Sequence, residues 1–147
     1  MARLNAFVVS LVLLLAHAQI SSAFSDGSFQ RTCTAPNQMT GQPQPVLEQN
    51  VGNVMGFHGF TSPLPNGGWL IQWNVPKMVN TPPLMRRFLF YHECAHARRA
   101  TSDEATADCE GLRHMKHDIG VTPNQVQQMA AFYAQYGRVF PPPGCKY

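Results

Sequence analysis

Between Phe88 and Gly111 the segment FLFYHECAHARRATSDEATADCEG gathers two histidines, three glutamates, two aspartates and two cysteines, in a chain only 13% charged. Within it, His92-Glu93-Cys94-Ala95-His96 fits the pattern H-E-x-x-H. On a helix, histidines at i and i+4 share one face, and the intervening glutamate lies close to whatever they hold. With six His and four Glu in 147 residues, composition alone would produce the pattern in roughly 0.6% of such chains. A helix with a solvated polar face is the competing explanation. It fits poorly, because the motif follows Phe88-Leu89-Phe90-Tyr91 and no polar face opens before Arg98.

The chemistry these residues suit is that of zinc, which takes three protein ligands and keeps a fourth position open when it is catalytic. A metzincin continuation, H-x-x-G-x-x-H, is excluded because Arg99 and Ser102 stand where the glycine and third histidine belong. Glu104-Ala105-Thr106-Ala107-Asp108 offers another solution. Glu104 supplies a carboxylate ligand from the next helix, and Asp108, four residues on and on the same face, accepts the free ring N–H of a liganding histidine. Glu104 also has a plainer reading, as part of a capping box over Thr101-Ser102-Asp103-Glu104. With zinc at His92, His96 and Glu104, a carbonyl would be polarised and a water acidified, and Glu93 would act as general base and then acid. An oxyanion-stabilising donor is expected as well, with Arg113, His114, Tyr133 and Tyr136 as candidates. His114 and His117, at i and i+3, are a weaker pair for a separate metal.

These elements must position that chemistry. Leu84, Phe88, His92 and His96 recur every four residues, which predicts a helix from about Pro83 to Ala100. A second helix is expected from near Ser102 to Gly120. A third should begin at Thr122-Pro123-Asn124-Gln125, a capping box with proline in the first turn, and stop at Tyr136-Gly137. Upstream, aromatic and β-branched residues between Val51 and Val79 flank Pro65-Asn66-Gly67-Gly68, which predicts two strands joined by a turn. Pro76 cannot donate to a ladder and puts the end of the second strand at a sheet edge. The fold class expected is α+β, a small antiparallel sheet or hairpin with an edge strand packed on about three helices.

The opening residues 1–23 read as a signal peptide: Arg3, an apolar run from Ala6 to Ala16, and small residues at Ser21 and Ala23. The run is shorter than the roughly 18 residues that span a bilayer, so export with cleavage after Ala23, to a secreted or periplasmic location, is expected. No stable membrane association should remain. Residues 24–50, rich in Gln, Pro, Ser and Thr, read as an extended segment laid over a domain at 51–147. Losing Arg3 takes the net charge from +3 to +2, too little and too scattered to recognise nucleic acid. The expected partner is a peptide or protein substrate, met by a monomer. Cys33, Cys94, Cys109 and Cys145 survive cleavage, and an even count in an exported chain implies two disulfides with three connectivities open. Pairing Cys94 with Cys109 and Cys33 with Cys145 is favoured, since it joins two adjacent helices and ties the N-terminal segment to the tail. Cys94 lies about 200° round the helix from His92 and points away from the metal. Cys33 as a thiolate that blocks the zinc is a further alternative.

HECAH followed by EATAD resembles the H-E-x-x-H plus E-x-x-x-D pattern of the gluzincin zinc metallopeptidases. The likeness is greatest to the small secreted kind and to the core of the prenyl-protease and heat-shock-type zinc endopeptidases, and it spans Trp69 to about Leu112. It implies zinc on His92, His96 and Glu104, Glu93 as the base, and Asp108 orienting a ligand. It implies further that an edge strand carrying Trp69, Ile71 and Trp73 receives extended substrate by β-addition. The cysteines of HEC and ADC and the Pro142-Pro143-Gly144 tail resemble those of small exported relatives. One departure is the gap of seven residues between His96 and Glu104, which leaves room for one tight turn. A catalytically inactive, zinc-stabilised binding module on the same scaffold is the alternative from another functional class.

Overall fold

Trp69, Ile71 and Trp73 alternate with Leu70 and Gln72, and this alternation builds the strand at the middle of the main sheet. A computed structural model describes residues 24–25, 29–52 and 56–147; the proposed signal peptide at 1–23 lies outside them. Among the described residues, seven strands run in chain order: β1 (Phe24–Ser25), β2 (Gln30–Arg31), β3 (Thr34–Pro36), β4 (Pro43–Pro45), β5 (Leu47–Val51), β6 (Gly59–Pro63) and β7 (Trp69–Asn74). Four helices follow: α1 (Val75–Val79), α2 (Pro83–Arg99), α3 (Glu104–Ile119) and α4 (Pro123–Ala134). The fold is α+β, with small sheets packed against three main helices, and His92 and His96 both lie on α2.

The main sheet has the order β5-β7-β6. β6 and β7 form the expected hairpin, antiparallel with Pro63 opposite Trp69 across the Pro-Asn-Gly-Gly turn. β5 pairs with β7 in parallel, Leu47 opposite Leu70 and Val51 opposite Asn74. The strand with Trp69, Ile71 and Trp73 is therefore central, and its expected role as a substrate-receiving edge is corrected: its backbone groups are taken by neighbours on both sides. Pro76 does not mark an edge either. It sits in the first turn of α1, where a missing N–H costs nothing. Glu48 of β5 is buried and accepts from the Trp73 indole at 2.9 Å.

α2 is buried continuously from Phe88 to Ala97. It ends at Ala100, which takes a left-handed conformation with φ 48° and returns its N–H to the carbonyls of His96 and Ala97. After this turn, Asp103 caps α3 by accepting the Thr106 N–H at 2.7 Å. Gly111 lets α3 cross close against α2, for a Cβ there would lie 2.9 Å from the His92 backbone nitrogen. α4 begins with the capping box of Thr122 and Gln125. Beyond it the chain turns back, and Phe140 stacks on Tyr133, with ring centroids 4.9 Å apart, and meets Phe88 edge-on.

The disulfides are Cys33–Cys94 and Cys109–Cys145, not the favoured pairing of Cys94 with Cys109 and Cys33 with Cys145. Cys94 is wholly buried and faces the segment just before β3. Cys109 lies on the side of α3 turned to the C-terminal tail. Two helices adjacent in sequence thus point their cysteines in different directions. Cys33 is consumed by its disulfide, which removes it as a blocking thiolate.

Candidate metal centre

The two histidines of α2 and Glu104 at the start of α3 converge although seven residues separate His96 from Glu104. Nε2 of His92 lies 3.1 Å from Nε2 of His96 and 3.4 Å from Oε2 of Glu104, and Nε2 of His96 lies 3.5 Å from Oε1 of Glu104. Ligands at about 2.0–2.1 Å from a tetrahedral ion are separated by about 3.3 Å, so these spacings fit the edges of such a site. Among the described residues, this is the group of His, Cys, Asp and Glu side chains that could hold a metal ion.

Hydrogen bonding sets the imidazole tautomers. Nδ1 of His96 lies 2.8 Å from the Thr101 carbonyl, which can only accept, so Nδ1 carries the hydrogen and Nε2 keeps its lone pair. Nδ1 of His92 likewise donates to Oδ1 of Asp108 at 2.8 Å. Two nitrogen lone pairs and a carboxylate then face one point, an arrangement that calls for a proton or a metal cation between them. Asp103 takes over the capping of α3, which leaves the Glu104 carboxylate to face the histidines.

The charges follow this geometry. Burial opposes a positive His92, but the hydrogen bonds to Asp108 and Glu104, with Glu93 close by, outweigh it and push its pKa up to about 9. Burial also opposes a charge on His96, and the Glu104 bond again prevails and raises it. Hydrogen bonds from both rings hold Glu104 well below the usual carboxylate range.

The triad lies in the wall of a cleft of about 760 Å³. Glu93 also lines it and is buried. Thr61 of β6 directs its hydroxyl at Oε2 of Glu93, 2.7 Å away, and at the Glu93 carbonyl, 3.0 Å away. Gly59 admits the carboxylate: a Cβ there would lie 2.9 Å from Cγ of Glu93 and 2.8 Å from the Trp73 ring. Beyond the triad, His58, Phe132 and Tyr136 form an aromatic wall, with Phe57 and Phe60 exposed at the rim.

Of the expected oxyanion donors, Arg113 binds Glu110 and the Lys146 carbonyl, and His114 is 3.4 Å from Glu110; neither lines the cleft. Tyr133 gives its hydroxyl to Asp108, and Tyr136 stands at the rim. His117 lies 3.0 Å from Asp118. Sequence reasoning missed Thr61 and Arg138. Both come from segments remote from the motif, and neither belongs to a spacing pattern that would mark it.

No protein-family model, curated protein or solved structure matches this chain.

Proposed function

We propose that this protein is an exported, zinc-dependent peptidase, with His92, His96 and Glu104 as metal ligands and Glu93 as the acid–base group. One observation carries the reading: a second carboxylate, Glu93, is left out of the converging ligand triad and opens onto the same cleft. A module that used metal only for stability would be better served by four protein ligands and would have no use for this group. Two disulfides support export, and among the described residues no helix is long and apolar enough to cross a membrane.

A bound zinc ion would supply Lewis acidity, polarising the scissile carbonyl and making water a better nucleophile at neutral pH. The residues do the rest. Thr61 holds Oε2 of Glu93 and leaves Oε1 to take the proton of the attacking water and then deliver it to the departing amine. Asp108 and the Thr101 carbonyl keep both imidazoles turned with Nε2 toward the ion. Extended substrate would lie along β6, which among the described residues pairs with β7 alone.

The test is a peptide-library cleavage assay on the purified mature protein, with and without chelator, beside Glu93→Gln. The wild type should cleave and lose activity to the chelator. The variant should keep its zinc and be slower by about 10²- to 10⁴-fold. Zinc bound without cleavage of any peptide, or a Gln variant as fast as wild type, would show the metal to be structural and turn attention to a binding module.

A further inference from the structure

Arg138 follows α4, far from the motif in sequence, yet its Nη2 lies 2.7 Å from Oδ2 of Asp108 and 3.5 Å from Oε2 of Glu104. Its guanidinium rests on the Tyr133 ring, 4.6 Å from the centroid. Tyr133 in turn donates its hydroxyl to Oδ1 of Asp108 at 3.0 Å, the oxygen that also accepts from His92. Asp108 is therefore a carboxylate only 2% exposed, held by three donors: one imidazole, one phenol and one guanidinium.

We infer that Arg138 is a positioning residue for the metal centre, acting through Asp108 on the orientation of His92. This rests on the metal assignment above, not on peptide hydrolysis.

The argument is one of satisfied groups. A buried carboxylate oxygen without a donor costs far more than an ordinary hydrogen bond returns. Among the described residues, Arg138 is the donor to Oδ2. Without it the carboxylate turns to find another partner. Oδ1 then leaves the line to Nδ1 of His92, and the tautomer that presents the Nε2 lone pair is no longer enforced. Arg138 also lies between two acidic groups on one face of α3, Glu104 and Asp108, and offsets the repulsion that would spread them. The tail is built to deliver it. The Arg138 N–H bonds the Tyr133 carbonyl at 3.1 Å, Phe140 is packed between Tyr133 and Phe88, and Cys145 is tied to Cys109, the residue after Asp108.

The experiment measures zinc affinity by competition with a chromophoric chelator in wild type, Arg138→Met and Arg138→Lys. Methionine keeps an apolar stem on the Tyr133 ring and removes the charge and the fork of donors. Lysine keeps the charge. Arg138→Met should bind zinc about 10- to 100-fold more weakly, with Arg138→Lys in between. In the zinc-loaded variant, ¹⁵N chemical shifts of the His92 ring should show Nδ1 no longer held as a single protonated species. Wild-type affinity in Arg138→Met, or equal losses in both variants with an unaltered His92 ring signature, would overturn the inference while leaving the zinc site in place. A wild-type protein that binds no zinc would overturn both.

Discussion

In the metal-free protein, His92 and Glu104 are tuned in opposite directions by the same contact, and this gives the site a pH signature. The His92 pKa rises from 6.5 to about 9, against burial, through Asp108 and Glu104. Its proton is therefore favoured by folding: this stabilisation is complete below pH 6.5 and is lost as pH rises through about 9. Glu104 is depressed below its ordinary 4.5 by the two imidazoles, so its contribution is complete above that pH and is lost on acidification. Chelator-treated protein should be most stable between about pH 4.5 and 6.5. Thermal melts in chelator at pH 5.5 and 8.5 check this. A melting temperature that stays level or rises at pH 8.5 would contradict the charge arrangement. With zinc added, the metal replaces the proton between the ligands, so the alkaline loss should shrink.

At the scale of elements, the centre depends on how closely α3 approaches α2. Gly111 faces the backbone of Tyr91 and His92, where a methyl group would meet main-chain atoms at 2.9–3.1 Å that cannot swing aside. Gly111→Ala should separate the helices slightly, cost about 1–3 kcal/mol and weaken zinc binding, as chemical denaturation and chelator competition would record. Unchanged stability would mean that the crossing is looser than described. The three long helices were legible in the sequence, whereas α1 occupies Val75–Val79, where the end of a strand was expected. The four-residue recurrence from Leu84 to His96 and the Thr122 capping box each combine a local signal with a local outcome. The β6–β7 hairpin was legible too, but the strand on the other side of β7 was not. β5 reads Leu-Glu-Gln-Asn-Val, and its buried Glu48 hides the period that would reveal a strand, so nothing local announces a parallel partner for β7. Without that partner, β7 looks like an edge. The triad could be read because one helix and the start of the next carry it. Thr61 and Arg138 could not, because tertiary packing alone brings β6 and the tail to the site.

For the whole molecule, the covalent links divide the chain in an unexpected way. Cys33–Cys94 closes a loop with a sequence separation of 61 and Cys109–Cys145 one of 36; on chain-entropy grounds each would stabilise the fold by about 4 kcal/mol. The loops are consecutive and do not overlap. The stretch between them, from Ala95 to Asp108, includes His96, the left-handed turn at Ala100 and Glu104. Topologically, the molecule is two rings on a string, with the donor nitrogens on one ring's side and the donor carboxylate on the other's. A single peptide-bond cut within the exposed turn at Ser102 or Asp103 would yield two pieces with no covalent bond between them. The pairing of Cys94 with Cys109 would have kept them joined. The nicked protein should therefore run as two fragments on a denaturing gel without reductant. Under native conditions, zinc should add a clasp to the packing of α3 and the tail on α2, and chelator should promote separation of the halves in size-exclusion chromatography. Two pieces that each lack a complete site would then form a split protein whose reassembly reports the metal.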